Sequence, residues 1–201
     1  VMFRTVSALS LVALLSVPAL AQTKVEPAKV EAGKYNVDPN HTQVLFGVNH
    51  MGFTTYYGSF TDAAGTLDLD PAKPDASKLD VTIKTASVSV PSPKLLDELK
   101  GDQWLDATKF PDTSFKSTKV TKTGATTANV TGDLTLHGVT KPVTLAVTYV
   151  NAGTNPLSKS YTAGFEAKGK IKRSDFGVKT YVPLIGDDVD LIISGSFEHA
   201  K

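Results

Sequence analysis

From Tyr35 onward, apolar and polar residues alternate in short runs separated by Gly, Pro, Asp and Asn. In "HTQVLFGVNHMGFTTYYGSF" (41–60) the row Val44, Phe46, Val48 ends on His50, with a second histidine, His41, at the start. Period-two alternation places one set of side chains on each face of a strand, so the pattern predicts antiparallel strands with one buried face. The expected strands are 35–37, 42–50, 53–60, 64–69, 79–90, 113–121, 126–136, 142–150, 160–172 and 188–198. Within 79–90 the apolar set passes from Val81 and Ile83 to Ala86, Val88 and Val90, and this parity slip near Thr85 predicts a bulge that curls the sheet.

"PSPKLLDELKGDQWLDATKFP" breaks the alternation. Ser92 is placed to cap a helix, Pro93 suits its first position, Leu95, Leu96 and Leu99 share a helical stripe, and Gly101 ends it. A two-turn helix is expected, then a short turn through Trp104 and Leu105. So many strands would leave exposed edges unless the sheet closes. The expected fold class is all-β, an antiparallel β-barrel with one or two short helices covering an end.

In a small barrel every second side chain points inward. The expected inward set is Val44, Phe46, Val48 and His50; Leu67 and Leu69; Val81 and Ile83; Leu134 and Leu136; Val143, Leu145 and Val147; Phe165; and Leu191, Ile193 and Phe197. Leu96, Trp104 and Phe115 join it as candidate lining. Such a lining either fills the interior or encloses a cavity, and periodicity does not choose between them.

Composition then limits the organisation. A chain of 201 residues with 41% hydrophobic and 20% charged residues suits one globular domain. The segment "VMFRTVSALSLVALLSVPALAQ" joins Arg4, an uncharged run, Pro18 and Ala19-Leu20-Ala21, the features of a signal peptide cut after Ala21. That apolar run is shorter than a membrane-spanning helix requires, so no stable membrane span is expected. Residues 22–34 read as a flexible leader, and 35–201 as the barrel domain. Localisation is therefore expected to be periplasmic or secreted. Arg4 is the single charge in residues 1–21, so the remainder balances 20 basic against 20 acidic residues and shows no basic stripe for nucleic acid. With no cysteine, a hydrophobic core must hold the domain without disulfides.

The ordered motifs "YNVDPNHTQVLFGVNHMGFTTYYGSF", "GTLDLDP", "LDVTIKTASVSV", "WLDATKFPDTSFKS", "GDLTLHGVTKPVTLAV", "KRSDFGV" and "IGDDVDLIISGSFE" resemble the YceI family of exported lipid-binding proteins. The resemblance spans about 35–199. Thr42 stands where that family usually has serine, and Trp104 where it usually has phenylalanine. It implies a lipocalin-like barrel whose apolar channel holds polyisoprenoid chains or related amphiphiles such as quinone tails, with no cofactor, and it allows a homodimer.

Chemistry in the sequence is sparse. The four histidines, His41, His50, His137 and His199, fall into no metal-binding spacing, and no nucleophile elbow, phosphate loop or dinucleotide fingerprint is present. "DFG" at 175–177 stands without its kinase companions. His41 after Asp38-Pro39 is expected to tie down a turn, and His50 to end the inward row. A ligand head group is expected near Tyr56, Tyr57, Lys179, Tyr181 or the Asn49 and His50 region. Three readings follow: a non-enzymatic lipid carrier, an enzyme acting on a lipid through His41 or His50, and a structural barrel with a filled core.

Overall fold

Alternation becomes antiparallel pairing in every strand of the described chain. The computed structural model describes residues 23–200, so the expected signal peptide and its cleavage point lie outside the described residues. The strands are β1 (Gly33–Val37), β2 (Gln43–His50), β3 (Thr54–Phe60), β4 (Ala63–Leu69), β5 (Lys78–Lys84), β6 (Val88–Ser89), β7 (Asp112–Lys122), β8 (Thr127–Leu136), β9 (Val139–Thr154), β10 (Tyr161–Lys172) and β11 (Ile185–His199). A helix, α1 (Pro93–Lys100), separates β6 from β7.

Six of these pieces form three bent strands. β1 and β2 both run along β11, with Val37 opposite Phe197 and Val44 opposite Ile193. β4 and β3 run along β1 and β2 in turn, and β5 and β6 run along β4 and β3. The breaks lie at 38–42, 61–62 and 85–87. The result is a closed eight-stranded antiparallel barrel in which each strand neighbours the next in sequence.

The bulge expected near Thr85 is a 3₁₀ turn, Thr85–Ser87. Thr85 is buried there, its N–H donating to Pro111 O at 2.9 Å and its hydroxyl 3.4 Å from that of Thr113. Those bonds replace the interrupted ladder, and Val88 then re-enters the interior.

One end carries the β2–β3 turn, α1 and the segment after it, the β8–β9 turn and residues 173–184. Ser92 caps α1 by accepting a bond from Leu95 N, as expected, and Gly101 ends it. Trp104 then lies 6.3 Å, ring to ring, from Tyr181, and Phe110 lies 4.5 Å from His137. His137 and Gly138 form the two-residue β8–β9 turn with φ of 52° and 75°, the positive values such hairpin turns require. A Cβ at Gly138 would also stand 2.5 Å from the Phe110 ring.

At the opposite end the chain departs from expectation. The stretch read as a flexible leader covers the barrel as far as it is described, from residue 23. Val30 is buried with Tyr35, Tyr149 and Phe197, and Val25 packs against the same cluster. Tyr149 Oη donates to Val25 O at 2.9 Å, and Tyr35 Oη to Glu31 O at 2.6 Å. Val25 N donates to Asn151 Oδ1 at 2.8 Å, and Glu31 N to Tyr161 Oη at 3.4 Å. Two valines among polar residues give no periodicity, and the barrel itself supplies the bonds that order the segment.

Burial pushes the Tyr35 phenol above its ordinary value, with Tyr161, Glu31 and Tyr149 adding to the effect. Unfolded Tyr35 ionises near pH 10 while the folded group keeps its proton, so the stability it contributes is complete below that pH. Above about pH 10 the melting temperature is expected to fall, and to fall less steeply in Tyr35→Phe; equal slopes in a thermal melt series would refute this origin.

Candidate functional site

The inward rows enclose a cavity of about 500 Å³ inside the barrel. Its wall includes Val44, Phe46, Val48, His50, Leu67, Leu69, Val81, Ile83, Trp104, Phe115, Leu134, Leu136, Leu145, Phe165, Leu191 and Ile193, together with Val143, Val147 and Phe197. Leu96 corrects the expected set, because α1 presents Leu95 and Leu99 to the cavity. Leu95 and Leu99 are four residues apart on one helical face, whereas Leu96 is turned about 100° from Leu95.

Close approaches over glycine keep the interior from filling. A Cβ at Gly58 would lie 2.3 Å from Phe46 Cζ, at Gly132 2.6 Å from Phe115 Cζ, and at Gly169 2.6 Å from Leu145 Cδ2. Large side chains thus pack over bare backbone on the wall. Phe46 then meets Phe60 with ring centres 5.7 Å apart, and Phe165 meets Phe197 at 5.9 Å.

Polar groups on the wall are few and mostly occupied. Thr42 donates to Ser196 O at 3.2 Å and accepts from Ser196 N at 3.1 Å, bridging the gap between β1 and β2. His50 lies 6.2 Å, ring to ring, from Tyr56, whose hydroxyl is buried without a hydrogen-bond partner. Of the head-group candidates, His50, Tyr56 and Tyr181 line the cavity. Tyr57 packs against Gly47 and is half exposed, Asn49 accepts from Gly52 N at 2.7 Å, and Lys179 is exposed off the wall.

Arg173 is the functional-site residue that alternation could not reveal. It begins a 3₁₀ turn, Arg173–Phe176, after β10, and only 5% of its surface is exposed. Its Nε donates to Gly186 O at 2.9 Å, Nη1 to Val178 O at 3.1 Å and Nη2 to Ile185 O at 2.9 Å. Trp104 covers the guanidinium at 5.2 Å. Burial lowers its pKa below the ordinary value, and nearby Asp187 acts in the opposite sense. Asp187 is opposed by its own burial, yet bonds from Ser174 N and Oγ, with Lys172 and Arg173 nearby, hold it below the usual carboxylate range. The same turn explains "DFG": Phe176 is buried, and Gly177 takes φ of 84° to end the turn. Arg173 therefore ties the irregular segment after its own turn to the start of β11 in the cavity wall.

Strand parity extends to Val37, Phe60, Leu79, Val130 and Val189, which also line the cavity, and a bulge between Ser117 and Lys119 brings Val120 to the same face. Met51, Val178 and Tyr181 lie on turns where parity carries no information.

The histidines divide as the sequence suggests. His41 stands outside the cavity wall, with Nδ1 2.6 Å from Asp38 Oδ2, and its N–H donates to Asp38 O at 3.3 Å. His137 Nδ1 lies 3.2 Å from Phe176 O, and His199 packs edge-on against Tyr35 at 4.8 Å. Among the described residues no group of three or more His, Cys, Asp or Glu is arranged to hold a metal ion.

Arg173→Met keeps an apolar stem but leaves three carbonyls without their donor. It is expected to cost about 2–5 kcal/mol, measured as a lower urea midpoint. A midpoint within error of the parent would show that the fork does not hold the wall.

Residues 35–197 match the YceI-like domain. A curated relative, "Protein YceI" of Shigella flexneri, is 42% identical over 165 residues, covering 81% of this chain and 85% of its own. The crystal structure of Burkholderia cenocepacia BcnA superposes with a TM-score of 0.72 at 28% identity, covering 80% of this chain and 98% of that one. A polyisoprenoid binding domain from Saccharophagus degradans shares the fold at a TM-score of 0.62 and 13% identity, covering 85% of this chain and all of that domain.

Proposed function

The chain belongs to the YceI family, and on that premise we propose that it binds a polyisoprenoid or related long-chain amphiphile inside its barrel. It carries or stores that lipid without chemical turnover, in the periplasm or outside the cell. The observation that supports this reading is the 500 Å³ cavity, enclosed by a nearly continuous apolar wall. The volume lies within the range of about 300–1,000 Å³ typical of small-molecule sites. Each buried methylene contributes about 0.8 kcal/mol, so affinity comes from chain length rather than from polar contacts.

The wall chemistry agrees. Thr42, Thr113 and Arg173 bind protein groups, while His50, the unpartnered Tyr56 hydroxyl and Tyr181 are wall groups able to meet a polar head. A hydrolytic role would call for a base beside a nucleophile, whereas His41 is paired with Asp38 outside the cavity. The Saccharophagus degradans neighbour, described as a polyisoprenoid binding domain, points to the same ligand class.

Purified protein extracted with organic solvent is expected to release a long-chain lipid by mass spectrometry. Added isoprenoid alcohols should bind more tightly with length until the cavity is full. Leu134→Trp, which projects a larger ring into that space, should fold normally and lose at least about tenfold in affinity. A clean extract together with no binding of any isoprenoid alcohol would overturn the reading. In a filled core, the same substitution would instead destabilise the fold by about 1–3 kcal/mol.

A further inference from the structure

Nine large hydrophobic residues are exposed among the described residues, and five lie on two neighbouring loops at one end of the barrel. Met51 and Phe53, 50% and 85% exposed, form the tip of the β2–β3 turn. Tyr181, Val182 and Leu184, 64%, 37% and 63% exposed, follow the Arg173 turn. Met51 N donates to Leu184 O at 3.0 Å, so the two tips stand together. Met51 and Tyr181 also line the cavity. The apolar interior is therefore continuous with an apolar rim.

Residues 49–57 contain no Asp, Glu, Lys or Arg, and residues 178–186 contain only Lys179. An aqueous protein surface rarely leaves so many apolar side chains together without use. The β2–β3 tip is also narrow: the turn is three residues long, with φ of 56° at Met51 and 76° at Gly52. Five such side chains offer on the order of 500 Å², less than the roughly 800 Å² each partner contributes to a standard protein interface. A bilayer interface needs no complementary partner surface, only apolar groups that enter it and a cation beside anionic head groups.

We propose that this rim docks on a lipid bilayer and is the route by which the cavity exchanges its ligand with the membrane. The assignment of a lipid ligand rests on the function proposed above, while docking itself does not require one. Phe53 and Leu184 enter the acyl boundary, and Lys179 faces the head groups. Trp104, the single tryptophan, stands behind Tyr181 at this mouth and reports the event.

The test uses vesicles of phosphatidylcholine, with and without phosphatidylglycerol, and a fluorescently labelled geranylgeraniol. The parent protein is expected to sediment with both kinds of vesicle, with a blue shift of Trp104 emission that survives high salt. Phe53→Asp and Leu184→Asp, both at exposed positions, should each weaken vesicle partition by about tenfold. They should slow delivery of the probe from vesicles to a similar degree while leaving its affinity in vesicle-free buffer unchanged. Failure of the parent to sediment with either vesicle would overturn the proposal, as would unchanged partition in both variants. A parent dimer that Phe53→Asp converts to monomer would do the same, since a second copy then occupies the rim. Docking without probe binding would refute the lipid cavity alone, and probe binding without docking would refute the rim alone.

Discussion

A sheet that closes around space its own side chains leave open depends on its ladder for rigidity. In a filled core, dispersion contacts on every side hold each side chain. Here Phe46, Phe115 and Leu145 pack on the wall over Gly58, Gly132 and Gly169, and their inner faces border the cavity. The closed circuit of backbone hydrogen bonds supplies what packing does not. Without a cysteine in the chain, no covalent tie shares that task.

The interruptions are accordingly few and bridged. Where β1 gives way to β2, Asp38 N donates to Ser196 O at 2.9 Å and the Thr42 hydroxyl both donates to and accepts from Ser196. Where β5 gives way to β6, Thr85 bonds to Pro111, and Lys84 N donates to Asp62 O at 2.9 Å. Each of these two breaks bends a strand while its backbone groups find partners. The fork of Arg173 does the same for the Val178 carbonyl between β10 and β11 and for those of Ile185 and Gly186 at the start of β11.

Most of the wall was legible because barrel geometry converts sequence parity directly into inside and outside. Val44, Phe46 and Val48, or Leu191 and Ile193, face inward for no reason beyond their spacing. The helix was legible from Ser92, Pro93 and Gly101, but not which leucines reach the cavity, because a wide apolar stripe leaves its rotation open and tertiary packing sets it. Nothing local marked residues 23–32 as a cover, since most of the bonds that order them come from Tyr149, Asn151 and Tyr161, more than a hundred residues later. Arg173 was illegible for a related reason. A charged residue beside Asp and Lys reads as surface, and only the fold brings three carbonyls and Trp104 around it.

The seam at β11 has a kinetic consequence. Tyr35 pairs with His199, and Ala200 N donates to Lys34 O at 2.7 Å, so the ends of the domain meet across almost its whole length. Contacts of such high sequence separation form late and slowly, because a very long loop must close before they contribute. The circuit cannot be completed until the final strand is available. A growing chain would hold meandering hairpins with open edges, and the lumen would come into being only at the last step of folding.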